Sequence, residues 1–177
     1  RMDIGQEIAA LATIQSRLTA ALSTPMRPWR QPVSHRGMLL YGPRGIGKTH
    51  YLLRHAHENA GFYLSTDQPV VLGRPLFEWM EFLISRGHRA LYLDEIHTSP
   101  DWAAHLKATY DAHPEVSITV SGSSSLLATT GLADLSRRFV STRMPYLSFR
   151  EYLVLRGEVD FGVHDVFRDP PEWMHEI

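Results

Sequence analysis

The chain has 177 residues, 44% of them hydrophobic, with a formal net charge of −1 and a pI near 6.9. That is enough apolar material for one domain with a full core, and too little net charge for a bulk pull toward nucleic acid or acidic lipid. The absence of cysteine excludes disulfides and thiolate metal sites, and apolar runs of at most about five residues exclude a membrane-spanning helix.

Residues 3–22 carry Ile4, Ile8, Leu11, Ile14, Leu18 and Leu22 at helical spacing behind Asp3, a suitable N-cap. This helix is expected to pack on the rest of the domain, with partner binding as the alternative. Pro25, Pro28 and Pro32 then break the pattern and make a loop. Its Arg27, Trp29 and Arg30, with nearby Arg36, suit contact with nucleic acid or an adenine ring; an ordinary solvated loop is the plainer reading.

Gly37-Met38-Leu39-Leu40-Tyr41 reads as a buried strand, and Tyr51–Ala56 as the first turns of a helix. Between them, Gly42-Pro43-Arg44-Gly45-Ile46-Gly47-Lys48-Thr49 fits G-x-x-x-x-G-K-[ST], a phosphate-binding loop, in the strand–loop–helix context that the motif requires. Several backbone N–H groups converge on phosphate oxygens only if the loop coils tightly, so Gly42 and Gly47 stand where a Cβ would interfere. The opening helix adds the positive end of its dipole. Lys48 is placed to reach the β- and γ-phosphates, and the Thr49 hydroxyl to hold Mg²⁺. The candidate nucleotide-binding residues are therefore Gly42, Pro43, Arg44, Gly45, Ile46, Gly47, Lys48, Thr49 and His50. The chain has 16 Arg and only two Lys, yet Lys stands here, where a slim point charge fits the cradle and a planar fork does not.

Residues 60–65 read as a second strand, 66–69 as a turn, and 75–86 as a helix that Gly87 ends. Ala90-Leu91-Tyr92-Leu93-Asp94-Glu95 reads as a buried parallel strand that delivers two carboxylates at its C-terminal edge, where ligands bind in open α/β sheets. Asp94 is expected to hold Mg²⁺ directly or through water, and Glu95 to orient and deprotonate the attacking water. His97 either senses the γ-phosphate or caps the next helix. Residues 101–110 read as that helix, with Asp101 at or near its N-cap, and 116–120 as a fourth strand. Ser121 and Ser123, in the Ser/Gly run 121–125, are candidates to touch the γ-phosphate or the attacking water; N-caps of a following helix are the alternative. Arg137 and Arg138, after Asp134, are candidates for an arginine finger, or else solvated or paired with Asp134. Residues 139–144 read as a fifth strand, Ser148 and Glu151 as a capping box, and 157–177 as a boundary or tail.

Together these residues resemble the AAA-type ATP-binding proteins of bacteria and archaea that carry an uncharacterised C-terminal domain. The resemblance rests on the Gly42–Thr49 loop; on Leu93-Asp94-Glu95-Ile96-His97 with Trp102 and Leu106-Lys107; on Ser121-Gly122-Ser123-Ser124; and on Asp134–Arg138 leading to Leu147-Ser148-Phe149-Arg150-Glu151-Tyr152-Leu153. It implies an α/β P-loop fold of the ASCE type, with a mostly parallel five-stranded sheet in 5-1-4-3-2 order, and ATP with Mg²⁺ as ligands. It places the ATPase domain at 36–156, after an N-terminal helix and loop at 1–35, and reads 157–177 as a tail or the start of a missing C-terminal domain. Ser121 or Ser123 would be the sensor 1 residue. The expected function is slow ATP hydrolysis that drives or gates a task the sequence does not name. A nucleotide-dependent switch that recruits a protein partner, and a DNA-associated ATPase, are the alternatives. A cytoplasmic location is expected, with no membrane partner, and a homo-oligomer is left open.

Overall fold

The computed structural model describes residues 3–22, 27–29, 35–123 and 135–157. The readings of Arg30, Ser124, Ser125, Asp134 and the tail beyond 157 lie outside them. The chain divides into two compact units, one gathering residues 1–23 and 30–146, the other 24–29 and 147–177.

The first unit is built on five strands: β1 (Gly37–Tyr41), β2 (Phe62–Ser65), β3 (Ala90–Asp94), β4 (Ser117–Gly122) and β5 (Val140–Arg143). All neighbours run parallel, in the order β2-β3-β4-β1-β5. This is the 5-1-4-3-2 order that the resemblance implies. Helices α1 (Ile4–Ala20), α2 (Lys48–Glu58), α3 (Pro69–Leu72), α4 (Leu76–Ser85) and α5 (Trp102–Ala112) accompany it. A parallel sheet covered on both faces needs strands that are apolar throughout; β1 and β3 meet this with Leu39, Leu40, Leu91 and Leu93, all buried. Trp79 of α4 is fully buried and still satisfied, its indole N–H donating to Val71 O at 2.9 Å.

Helix α1 belongs to this core. Asp3 caps it, accepting from Gly5 N at 3.1 Å. Leu11 is buried with Ile4 and Ile8 packed beside it, and burying one such leucine is worth roughly 1.5–3 kcal/mol. Gln15 does more specific work. Its amide donates to Gly61 O at 3.2 Å and accepts from Tyr63 N at 3.1 Å, so it stands in for a further strand on the open edge of β2. Arg74, between α3 and α4, pairs with the buried Glu7 of α1 at 2.7 Å.

At four places the structure adds local detail. Strand β4 runs to Gly122, so Ser121 is a buried residue at the C-terminal end of the strand. Pro69 opens a short helix, where a fixed φ and a missing N–H cost nothing. Ile96–Thr98 forms a 3-10 turn. Asp101 stands at the N-cap of α5, as expected, at φ 51° and with no side-chain cap bond.

In the second unit α6 (Phe149–Leu155) carries the expected capping box between Ser148 and Glu151. Arg27 donates to both oxygens of Glu151, at 2.7 and 3.1 Å. In the first unit Arg36 donates to Tyr110 O and His113 O and lies 3.3 Å over the Tyr110 ring. Both arginines therefore serve the fold, which removes much of the support for a basic nucleic-acid loop.

Burial lowers the pKa of His55 in α2, against the nearby Glu58 charge, and that of His88, edge-on to Phe62. The unfolded chain therefore binds more protons than the folded one once pH falls below about 6.5, and these two residues withdraw stability on the acid side. Thermal melts at pH 7.5 and 5.5 are expected to show a drop that a His55→Gln/His88→Gln variant reduces. An equal drop in that variant would contradict this.

Candidate active site

The loop after β1 is shaped by two glycines. A Cβ on Gly42 would lie 2.7 Å from Met144 O and 2.5 Å from Ile46 Cδ1, so only glycine lets the chain leave β1 beside the exit of β5. Gly47 takes φ 101° and opens α2 with no side-chain oxygen, leaving the first N–H groups of that helix without a side-chain cap. Lys48, the first residue of α2, is buried and folds back, its ammonium donating to Gly42 O at 3.0 Å and Pro43 O at 2.8 Å. Pro43 and Ile46 are half-buried, whereas Arg44, Gly45 and His50 are exposed.

Asp94, the last residue of β3, is the hub. Its register partner on β2 is Ser65, and its neighbour Leu93 pairs with Val120 of β4, which brings Ser121 alongside. Asp94 Oδ2 accepts from Thr49 Oγ1 at 2.7 Å and from Tyr63 OH at 2.9 Å. Asp94 Oδ1 accepts from Ser121 Oγ and from Glu95 N, the latter at 3.1 Å. Three hydroxyls from three different elements thus converge on one buried carboxylate. Burial, and then the Asp94 charge, push the Tyr63 phenol far above its ordinary pKa and keep it a donor.

Glu95 turns sharply away from the strand, at φ 52°. A left-handed glutamate is uncommon and needs support. Thr66, fully buried, supplies it: its hydroxyl lies 3.0 Å from Asp94 O and 2.7 Å from Glu95 O, as a donor to both, and meets Thr98 Oγ1 at 2.8 Å. Thr98 Oγ1 also donates to Glu95 O at 3.0 Å. The Glu95 side chain stays one-third exposed, with Oε2 3.5 Å from His97 Nδ1. The turn reading of residues 66–69 hides Thr66, and Tyr63 passes for an ordinary core aromatic.

Other candidates stand elsewhere. Ser123 is half-buried, one residue past β4. Arg138 grips Asp111 of α5 through two 2.7 Å bonds, holding that carboxylate below its usual pKa. Its carbonyl crowds Gly37, the first residue of β1, where a Cβ would lie 2.4 Å away. Because β1 runs from Gly37 toward the loop, Arg137 and Arg138 lie at the opposite end of the sheet from Gly42–Thr49. They do not meet Asp94 or the loop within one chain. Arg137 is exposed.

A family model described as AAA domain matches residues 34–153. The chain belongs to the AAA domain family. Membership supports a nucleotide-binding P-loop ATPase. No curated protein matches. Among solved structures, this AAA domain is similar to the Thermotoga maritima RuvB Holliday junction branch migration motor, at 24% identity and a TM-score of 0.46, over 65% of this chain and 39% of that one. A single-substitution variant of that RuvB gives 23%, 0.45, 65% and 39%. A katanin structure concerned with self-assembly gives 21%, 0.42, 80% and 53%. The chain spans about two fifths of the RuvB chains that it matches. Among the described residues of the AAA domain, no helix is long and apolar enough to cross a membrane.

The residues fit a nucleoside triphosphate with Mg²⁺. Uncapped N–H groups and a buried ammonium suit phosphate. The Thr49 hydroxyl and the Asp94 carboxylate are hard oxygen donors in contact, as Mg²⁺ prefers.

Proposed function

We propose that this AAA domain, residues 36–156, binds ATP with Mg²⁺ and hydrolyses it slowly. The observation that carries the reading is the convergence of Thr49, Ser121 and the Glu95 N–H on Asp94, one residue before a partly exposed glutamate and beside a glycine-rich loop with a buried lysine. Lys48 and the opening N–H groups of α2 hold the phosphates. Thr49 holds the metal, with Asp94 orienting the Thr49 hydroxyl toward it; the metal supplies charge neutralisation on the phosphate oxygens when bound. Glu95 orients the attacking water and takes its proton. Ser121 ties the metal carboxylate to the Glu95 backbone and so acts as the sensor.

Arg137 serves as a finger in a neighbouring copy, since Arg138 is committed to Asp111 and both face away from this chain's own loop. Slow turnover by the lone chain follows from that geometry. Phosphate release is expected to need Mg²⁺, to rise per chain with protein concentration, and to lose that rise in Arg137→Ala. A rate per chain independent of concentration would contradict the finger.

One observation favours a switch. The left-handed Glu95 and Asp101 bracket residues 96–100, so strain is stored at both ends of a segment able to report the state of the loop. ATP binding without measurable phosphate release at any concentration would select that reading.

A further inference from the structure

Tyr63 has no role in the hydrolytic reading, yet its phenol is tied to the residue at the centre of it. Strand β2 is the edge of the sheet. The Tyr63 backbone is fixed from two sides, by pairing with Tyr92 of β3 and by the amide of Gln15 from α1. Its ring is buried, and from that fixed base the phenol donates to Asp94 Oδ2 at 2.9 Å. An ionised carboxylate has about four acceptor positions. Thr49, Tyr63, Ser121 and the Glu95 N–H supply four donors. Asp94 is thereby held against rotation. The Thr49 proton is committed to Asp94, which leaves the Thr49 oxygen lone pairs for a cation.

We propose that Tyr63 is a positioning residue for the divalent cation: by donating to Asp94 Oδ2 it fixes the carboxylate that in turn orients the Thr49 hydroxyl. The inference rests on the ATP·Mg²⁺ reading of the site. Tyr63 touches neither phosphate nor metal and acts only through Asp94. Groups that orient metal ligands typically change metal affinity by about 10–100-fold when removed.

The test compares the chain with Tyr63→Phe, which keeps the ring in the core. The probe is AMP-PNP, titrated by calorimetry with Mn²⁺ and again in EDTA, and the readout is the ratio of the two affinities. The spin signal of protein-bound Mn²⁺ is followed alongside. The expected result is a ratio lowered by about tenfold in Tyr63→Phe, a broadened bound-Mn²⁺ spectrum, and affinity in EDTA unchanged within about twofold. A structural role alone would instead lower both affinities together. The same change made in an Asp94→Asn background is expected to leave the ratio where that background puts it, because Tyr63 acts through the carboxylate. An unchanged or higher ratio in Tyr63→Phe overturns the proposal, as does a full effect in the Asp94→Asn background; the ATP reading survives both. Failure of the parent chain to bind AMP-PNP under either condition overturns the two together.

Discussion

Glu95→Gln is expected to lower phosphate release by about 10²–10⁴-fold while ATP affinity stays within about threefold. The substitution is close to isosteric and leaves the backbone intact. Thr66 and Thr98 still hold the residue 95 carbonyl, and the residue 95 N–H still donates to Asp94 Oδ1. The left-handed turn is therefore retained, and the change falls on one carboxylate. That carboxylate is one-third exposed and lies beside His97, so it adds little to ground-state binding. A group that acts chiefly in the transition state shows in turnover and not in affinity. Equal losses of both would mean that Glu95 supports the loop instead.

Lys48→Ala is expected to weaken ATP binding by at least about 100-fold, since the remaining charge-assisted hydrogen bond contributes about 1.5–3 kcal/mol and the buried ammonium adds its attraction for the phosphate charge. The cradle is already shaped around this side chain. Two of its three N–H groups are spent on Gly42 O and Pro43 O, which fixes the ammonium under the loop before a phosphate arrives. Arginine is not expected to rescue, because a planar guanidinium does not fit a buried point-charge site with two converging carbonyls. Affinity within about threefold of the parent chain in Lys48→Ala would show that the nucleotide, if bound, sits elsewhere.

The parts of the site legible in the sequence are those whose chemistry depends on adjacent residues. The glycines, lysine and threonine of the loop, and the acids at the last residue of β3 and just after it, occupy fixed offsets along the chain. So do Asp3 and the Ser148–Glu151 box, because a cap acts within one turn. The sheet order comes from the family resemblance, not from periodicity. The hidden parts depend on register. Tyr63 meets Asp94 only because β2 lies beside β3, and a tyrosine in an apolar run reads as core. Thr66 sits among turn formers, so its local chemistry masks the buried hydroxyl that fastens Glu95. Ser121 is a candidate for its position after a strand, and the structure extends that strand through it. Gln15 completes a sheet edge at Tyr63, far along the chain, a partnership that no local pattern announces. Arg137 and Arg138 stand out by residue type, and only the direction of β1 reveals which edge of the sheet they occupy.

The most direct test is a calorimetric titration of the unmodified chain with ATP, once with Mg²⁺ and once in EDTA. One site per chain is expected, with binding tightened by Mg²⁺ through Thr49 and Asp94. No binding under either condition would contradict the assignment of Gly42–Thr49 as a phosphate cradle, and binding indifferent to Mg²⁺ would contradict the role given to Asp94.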